Sequence, residues 1–210
     1  MGNREKLLVG AKQCVLENGY RRTTARDIAT TAGVSLAAIG YHFRSTQALL
    51  TEAILDGIGD WAERFEEVLA DQALRDLNSM DRFEAVWTGV IETLDGYRGY
   101  LAASYEVMPQ LEHNDILREQ MTTAVHGARE GLTGLFLDVD VSAEPGLVGT
   151  AGSLYYAIMS GVITQWLIDP ERAPSGADLA AGLRAVITGT TSPGNRPSGR
   201  KPRQSVWPPD

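Results

Sequence analysis

The densest run of chemically usable side chains lies between Thr23 and Phe43: Thr-Thr-Ala-Arg-Asp-Ile-Ala-Thr-Thr-Ala-Gly-Val-Ser-Leu-Ala-Ala-Ile-Gly-Tyr-His-Phe. Thr24 and Ser35 each stand just before a short apolar-periodic stretch, where a hydroxyl caps a helix and leaves backbone N–H groups facing outward. A helix start of this kind suits a phosphate. Ala37 and Ala38 are small enough for the second stretch to sit deep in a major groove, where thymine methyl groups offer apolar contact. Tyr41, His42 and Arg44 follow with groups that hydrogen-bond phosphate oxygens. This is the chemistry of recognising a polyanion.

Signatures of bond-making chemistry do not appear. The sequence has no GxSxG, GxGxxG or P-loop. Its histidines, His42, His113 and His126, show no metal-ligand spacing, and His126 shares a face with Glu119, Thr122 and Glu130 that reads as solvated. The single cysteine, Cys14, lies in an apolar stripe and reads as inert core. We therefore expect no catalytic residues, no metal and no cofactor. One cysteine cannot form an intrachain disulfide, and Met1 to Lys6 runs straight into charge rather than a secretory signal, so the expected location is cytoplasmic.

The 210 residues carry a net charge of −8, which looks wrong for a partner of nucleic acid, but the charge is unevenly spread. Residues 1–50 hold seven basic and three acidic side chains, residues 51–190 eight and 23, and residues 191–210 four and one. A polyanion is attracted by the first fifty residues and repelled by the middle.

The elements that must position these groups read as helices almost throughout. Leu7, Leu8, Ala11, Cys14 and Val15 mark a first helix closed by Asn18-Gly19; Thr24 to Thr31 make a second; Gly33 ends the turn, and Ser35 opens a third. Ser45 caps a long fourth helix with Leu50, Ile54, Ile58, Trp61, Phe65 and Val68 on one face. Further stripes run from Phe83 to Leu94, Tyr100 to Met108, Leu117 to Leu135, 144–168 and 176–190, the last two split by Asp169-Pro170. Residues 147–168 are 22 without a charge, long enough to span a bilayer, but eight are glycine or polar and the flanks are mostly acidic. They read as a helix buried on two sides, by its own core and by a partner chain. The expected organisation is a DNA-binding domain over 1–45, a helical domain over 46–190, and a disordered Pro-rich tail over 191–210.

Residues 7–50 resemble the helix-turn-helix of the TetR family of regulators. The Thr-Thr-Ala-Arg-Asp-Ile-Ala run, Ala-Gly-Val-Ser, the closing Tyr-His-Phe and then Leu49-Leu50 all fall in register. The resemblance implies an all-α homodimer with an N-terminal three-helix reading head and a larger ligand-binding and dimerisation domain. It implies that Thr24 and Ser35 contact backbone phosphates, that Leu36, Ala37 and Ala38 face base edges, and that Tyr41 and His42 grip flanking phosphates, with Arg44 and Thr46 beside them. Two positions depart from the pattern: a tyrosine is common where Gly40 stands and a lysine where Thr46 stands. Arg44, or Arg21 and Arg22, would compensate for the lost lysine.

The resemblance further implies an effector pocket among helices four to eight and dimerisation through the last two. Trp61, Phe65, Trp87, Ile91, Tyr105, Met108, Met121 and Tyr155 lie on apolar stripes suited to a mostly apolar small molecule. Tyr156, Ile163, Trp166, Leu183 and Val186 are the interface candidates. The implied partners are a double-stranded, near-palindromic DNA operator, a small effector that releases it, and a second copy of the chain, with no membrane. The alternative is a helical adaptor or ligand-binding protein with weakened DNA binding.

Overall fold

The computed structural model describes residues 1–69 and 77–189, except for the side chains at 65, 66, 68 and 69. The regular elements among the described residues are all helical, as expected. They are α1 Asn3–Asn18, α2 Ala25–Ala32, α3 Ala37–Phe43, α4 Thr46–Leu69, α5 Ser79–Thr93, α6 Arg98–Val107, α7 Asp115–Leu137, α8 Pro145–Ile168 and α9 Gly176–Thr188. Tight 3-10 turns at Tyr20–Arg22, Asp95–Tyr97 and Met108–Glu112 join neighbouring helices, and a π-helical turn over Val148–Gly152 lies inside α8. The tail expected over 191–210 lies outside the described residues.

Local chemistry sets the short helices. The buried Thr23 hydroxyl bridges the α1–α2 corner by donating to the carbonyls of Cys14 (3.1 Å) and Gly19 (2.8 Å). Thr24 and Asp27 form a reciprocal capping box at the start of α2: Thr24 Oγ1 accepts from the Asp27 amide and Asp27 Oδ2 accepts from the Thr24 amide. The Thr24 hydroxyl, donating to Asp27 Oδ2 at 2.6 Å, and then the Thr24 amide hold the Asp27 carboxyl below its ordinary range. α2 ends at Gly33, whose φ of 64° is left-handed; its N–H donates to Thr30 O and that of Val34 to Ala29 O, the paired closure that glycine permits. Ser45 caps α4 by accepting from the Ala48 amide at 3.0 Å.

Ser35 departs from expectation. Leu36 occupies the cap position of α3 with no side-chain bond, and the Ala38 and Ile39 amides donate to the carbonyls of Ser35 and Leu36. Backbone carbonyls satisfy this tight first turn, so the Ser35 hydroxyl stays exposed with no hydrogen-bond partner among the described residues.

Two cores organise the protein. One joins α1, α2, α3 and the first half of α4 through Leu7, Ile28, Ile39, Phe43, Leu49 and Ile54, and extends to Tyr100 and Val107 of α6 and Leu117 of α7. The other joins the second half of α4 to α5, α7, α8 and α9 through Trp61, Phe83, Trp87, Phe136, Met159 and Trp166. Each such side chain contributes about 1.5–3 kcal/mol on burial. Ile58 of α4 packs against both.

Candidate nucleic-acid interface and effector cavity

α3 presents a sorted surface. Ile39 and Phe43 are buried, and Arg4 of α1 lies 4.9 Å over the Phe43 ring while its guanidinium pairs with Glu52 of α4 at 2.6 Å. On the other side Leu36 is 53% exposed and Tyr41 83%, its ring meeting His42 edge-on at 4.8 Å. Thr24, Ser35, Ala37 and Arg44 are also exposed, while Ala38, His42 and Thr46 are half-buried. The structure thus gathers the proposed DNA-facing residues around one protruding helix and its two ends. Leu36 and Tyr41 leave apolar surface open to solvent at the two ends of α3. A Cβ built at Gly40 meets nothing within 4 Å, so the missing family tyrosine is a lost surface group, not a packing need. Arg44 holds φ at 65°, a conformation disfavoured for an L-residue with a Cβ, at the joint between α3 and α4.

Arg21 and Arg22 are occupied within the chain. Arg21 pairs with Glu106 of α6 at 3.2 Å, and Arg22 donates to the Asn18 carbonyl at 2.8 Å. Sequence reading missed this junction between the head and the rest. Tyr20, Gln47 and Gln110 hydrogen-bond one another, the Gln110 amide donating to Tyr20 Oη at 2.8 Å. Lys12 of α1 bonds both Asp56, at 2.6 Å, and Asp60 of α4. Partial burial presses the Lys12 pKa down, but those two carboxylates outweigh it and the net shift is upward.

A cavity of about 440 Å³ lies between α4, α6, α7 and α8. Four residues expected in an effector site line it: Trp61, Tyr105, Met108 and Met121. Three others are placed elsewhere. Trp87 is fully buried and belongs with Phe83, Phe136 and Tyr155 in an aromatic cluster, where Tyr155 stacks on Phe136 at 4.2 Å, and Ile91 packs on the same core. Their apolar stripes face a core built beside the cavity. The Phe65 side chain lies outside the described residues. Sequence reading missed the small residues of the wall, among them Gly59, Ala62, Ala124, Gly127 and Ala128. Their i, i+3, i+4 spacing on α7 was the available signal.

The residues expected at a dimer interface also divide. Tyr156 and Ile163 line the cavity, Trp166 is buried beneath the Arg98 guanidinium at 4.9 Å, and Leu183 packs on the core. Val186 faces outward at 81% exposure, together with Leu154, Ile168 and Ile187, which were not singled out. The apolar stripe of α8 was read correctly, but buried and outward positions on a helix apolar most of the way round cannot be told apart by composition. α8 is long and apolar enough to cross a membrane by length and composition, yet Met159, Val162, Ile163 and Trp166 pack it into the protein's own core.

Residues 7–53 match the family model of tetR-type bacterial regulatory proteins, and residues 78–189 match the model of a tetracyclin repressor-like C-terminal domain. Over 114 residues the chain is 29% identical to the HTH-type transcriptional repressor KstR2 of Rhodococcus jostii strain RHA1; the match spans 54% of each chain, about half the length of that relative. A tetR-family transcriptional regulator from Streptomyces coelicolor shares the fold at a TM-score of 0.62, with 19% identity over 87% of this chain and 78% of that one. The transcriptional regulator FadR from Bacillus subtilis, solved in complex with stearoyl-CoA, does so at 0.56, with 20% identity over 88% of this chain and 98% of its own. With one model on the reading head and the other on the helical body, the chain belongs to the TetR family of bacterial transcriptional regulators.

Proposed function

We propose that the protein is a ligand-responsive transcriptional repressor, a cytoplasmic homodimer that holds a near-palindromic operator and releases it when a small, mostly apolar effector enters the cavity. The observation that carries this reading is α4: one continuous helix starts two residues after α3, packs in the head core, and forms a wall of the cavity with its second half. Residues 1–45 read DNA and residues 46–190 bind the effector and dimerise. Thr24, Ser35, Tyr41, His42, Arg44 and Thr46 contact the phosphate backbone, and Leu36, Ala37 and Ala38 face base edges. Family membership supports DNA binding, the relative KstR2 is a repressor, and the neighbour FadR holds a ligand with a long apolar arm.

The second copy sits on the outward faces of α8 and α9, where Leu154, Ile168, Val186 and Ile187 leave apolar surface uncovered. Pairing there accounts for the charge-free length of α8 without a membrane and sets two reading heads about 34–36 Å apart, one DNA turn. Effector entry tilts α4 and moves the heads out of step with the groove, because the ligand prefers the spread form.

A salt-dependent titration against the duplex flanking its own gene, beside a scrambled duplex, tests the reading. Saturable binding to the first alone, with a steep salt slope, is the expected result. Equal weak binding to both would favour an adaptor that has lost its reading head, for which the departures at Gly40 and Thr46 give footing. Equal operator affinity with and without a tightly bound cavity ligand would remove the effector from the mechanism.

A further inference from the structure

Among the described residues, the lining of the cavity includes no aspartate, glutamate, lysine, arginine or histidine. A carboxylate, phosphate or ammonium group carried inside would lose its hydration with no opposite charge among the described lining residues to meet. Of the hydrogen-bonding groups that remain, those at the Tyr105–Ser160 corner are one-sided. Ser104 Oγ donates to Leu101 O at 2.7 Å and Ser160 Oγ to Tyr156 O at 2.9 Å. Thr164 Oγ1 donates to Ser160 O at 2.7 Å, so the Tyr105 hydroxyl proton goes to Thr164 Oγ1 at 2.8 Å or to Ser160 O at 3.1 Å. The Trp61 indole N–H donates to Thr93 Oγ1, whose own proton goes to Val90 O. Backbone N–H groups of the walls are engaged within their helices. Each hydroxyl has one proton and two lone pairs, so what Tyr105, Ser104 and Ser160 still offer is acceptors. Among the lining hydroxyls, that of Tyr156 alone has no partner among the described residues; its ring lies under the Arg129 guanidinium at 6.0 Å.

Resting on the effector reading above, we propose that the cavity selects an uncharged ligand with an apolar body and one hydrogen-bond donor, an alcohol or phenol, seated at the Tyr105–Ser160 corner. Ethers, ketones and esters of the same skeleton bring only acceptors to a corner made of acceptors. Met108, Met121 and Met159 let the walls adapt to the shape of the body while the corner fixes its end.

The test uses the full chain and two series of probes: para-phenylphenol, its methyl ether and para-phenylbenzoate; and dodecanol, dodecyl methyl ether and dodecanoate. Binding is read from tryptophan fluorescence, Trp61 being in the wall, and from the thermal midpoint. In at least one series the alcohol or phenol binds about tenfold more tightly than the ether, the value of one hydrogen bond, and the carboxylate binds weakest. Tyr105→Phe keeps the ring, erases the alcohol-to-ether ratio and leaves the ether unchanged; Tyr156→Phe leaves the ratio intact. An ether or carboxylate binding as tightly as the alcohol, a ratio that survives Tyr105→Phe, or failure of every probe would overturn the proposal. If Tyr105→Phe does not fold, the ratios in the unmodified chain still decide. The same probes, titrated against the operator complex, separate the two readings. Tight alcohol binding that leaves DNA in place removes the effector mechanism and keeps the ligand class. Release by the ether or carboxylate instead keeps the mechanism and overturns the class.

Discussion

Around α1, α2 and α3 the interior is filled to contact: Leu7, Ala11, Val15 and Ile28 are all fully buried, and Ile39 and Phe43 nearly so. Between α4, α6, α7 and α8 the packing stops short and leaves about 440 Å³, walled in part by methionine, glycine and alanine. The filled region carries on its outside two large side chains that the fold does not use, Leu36 and Tyr41, whereas the open region keeps its unused surface inside. A reader must hold a few atoms in one geometry against DNA, and a receiver must accept a body it does not supply. The same helical architecture gives a stiff element in one place and an incomplete one in the other.

Truncating one apolar side chain in each region breaks or sharpens this contrast most directly. Ile28→Ala leaves a hole in a core with no room to relax and costs about 3 kcal/mol; Met121→Ala, half-buried and beside existing space, costs about 1 kcal/mol or less. Urea unfolding at one protein concentration measures both, concentration being held because a dimer's stability depends on it. Equal losses would mean that the cavity is as tightly determined as the head.

The second contrast sets function against stability within the head. Tyr41→Ala removes a ring that is 83% exposed, so the melting free energy stays within about 0.5 kcal/mol. Operator affinity falls about tenfold for a lost phosphate hydrogen bond, with the salt slope unchanged because no charge is lost. Arg44→Gln instead lowers the slope by about one counterion. A Tyr41→Ala protein that binds operator normally but melts early would make this tyrosine part of the fold and remove it from the DNA surface.

How much was legible follows the same division. The head announces itself through residues with one local meaning: Thr24 as the cap of α2, Gly33 at positive φ, small Ala37 on an exposed face. The helices of the body were legible as elements, because period alone defines them. Which side of each faces the cavity was not: Trp87 and Tyr155 share the apolar spacing of Trp61 and Tyr105, and only the relative rotation of α5, α7 and α8 separates core from lining. Ile163 and Trp166 were assigned outward for the same reason. Contacts between distant segments, such as Lys12 with Asp56 and Asp60, leave no periodic trace at all.

That contact supplies the third prediction, on the joint between the two regions. The Lys12 pKa is raised, against a burial effect that alone would lower it, because Asp56 and Asp60 stabilise the ammonium. A raised folded-state value means the contribution is complete below the unfolded lysine pKa, about 10.4, and is lost as pH rises through the folded value. Tyr100, whose hydroxyl donates to the Lys12 carbonyl at 3.3 Å, has its pKa raised by burial and weakens the fold in the same alkaline direction when it ionises. Stability followed from neutral to strongly alkaline pH should therefore fall above about pH 10. Lys12→Met removes part of that fall and costs about 1 kcal/mol at neutral pH, kept small because both carboxylates are about half exposed and screened. Tyr100→Phe removes a further part, leaving that of Tyr155, whose pKa burial also raises. An unchanged alkaline limb in the double variant would place the titrating groups elsewhere.

The smallest effects come from two glycines on α4 that straddle the changeover between cores. A Cβ on Gly57 would stand 2.7 Å from ring carbons of the buried Tyr100, so Gly57→Ala must displace that ring, and its overpacking outweighs the gain in helix propensity by about 1 kcal/mol. A Cβ on Gly59 meets nothing within 4 Å and faces the cavity, so Gly59→Ala stabilises by about 0.5–1 kcal/mol, the ordinary difference between alanine and glycine inside a helix. Two positions one dipeptide apart thus change stability in opposite directions for the same added methyl group. The thermal midpoints of the two variants, one below and one above the parent, would show that α4 is packed to contact on its head side and open on its effector side. A loss at Gly59 as large as that at Gly57 would mean that the space beside α4 is closed in solution and that the helix has no free wall for a ligand to push against.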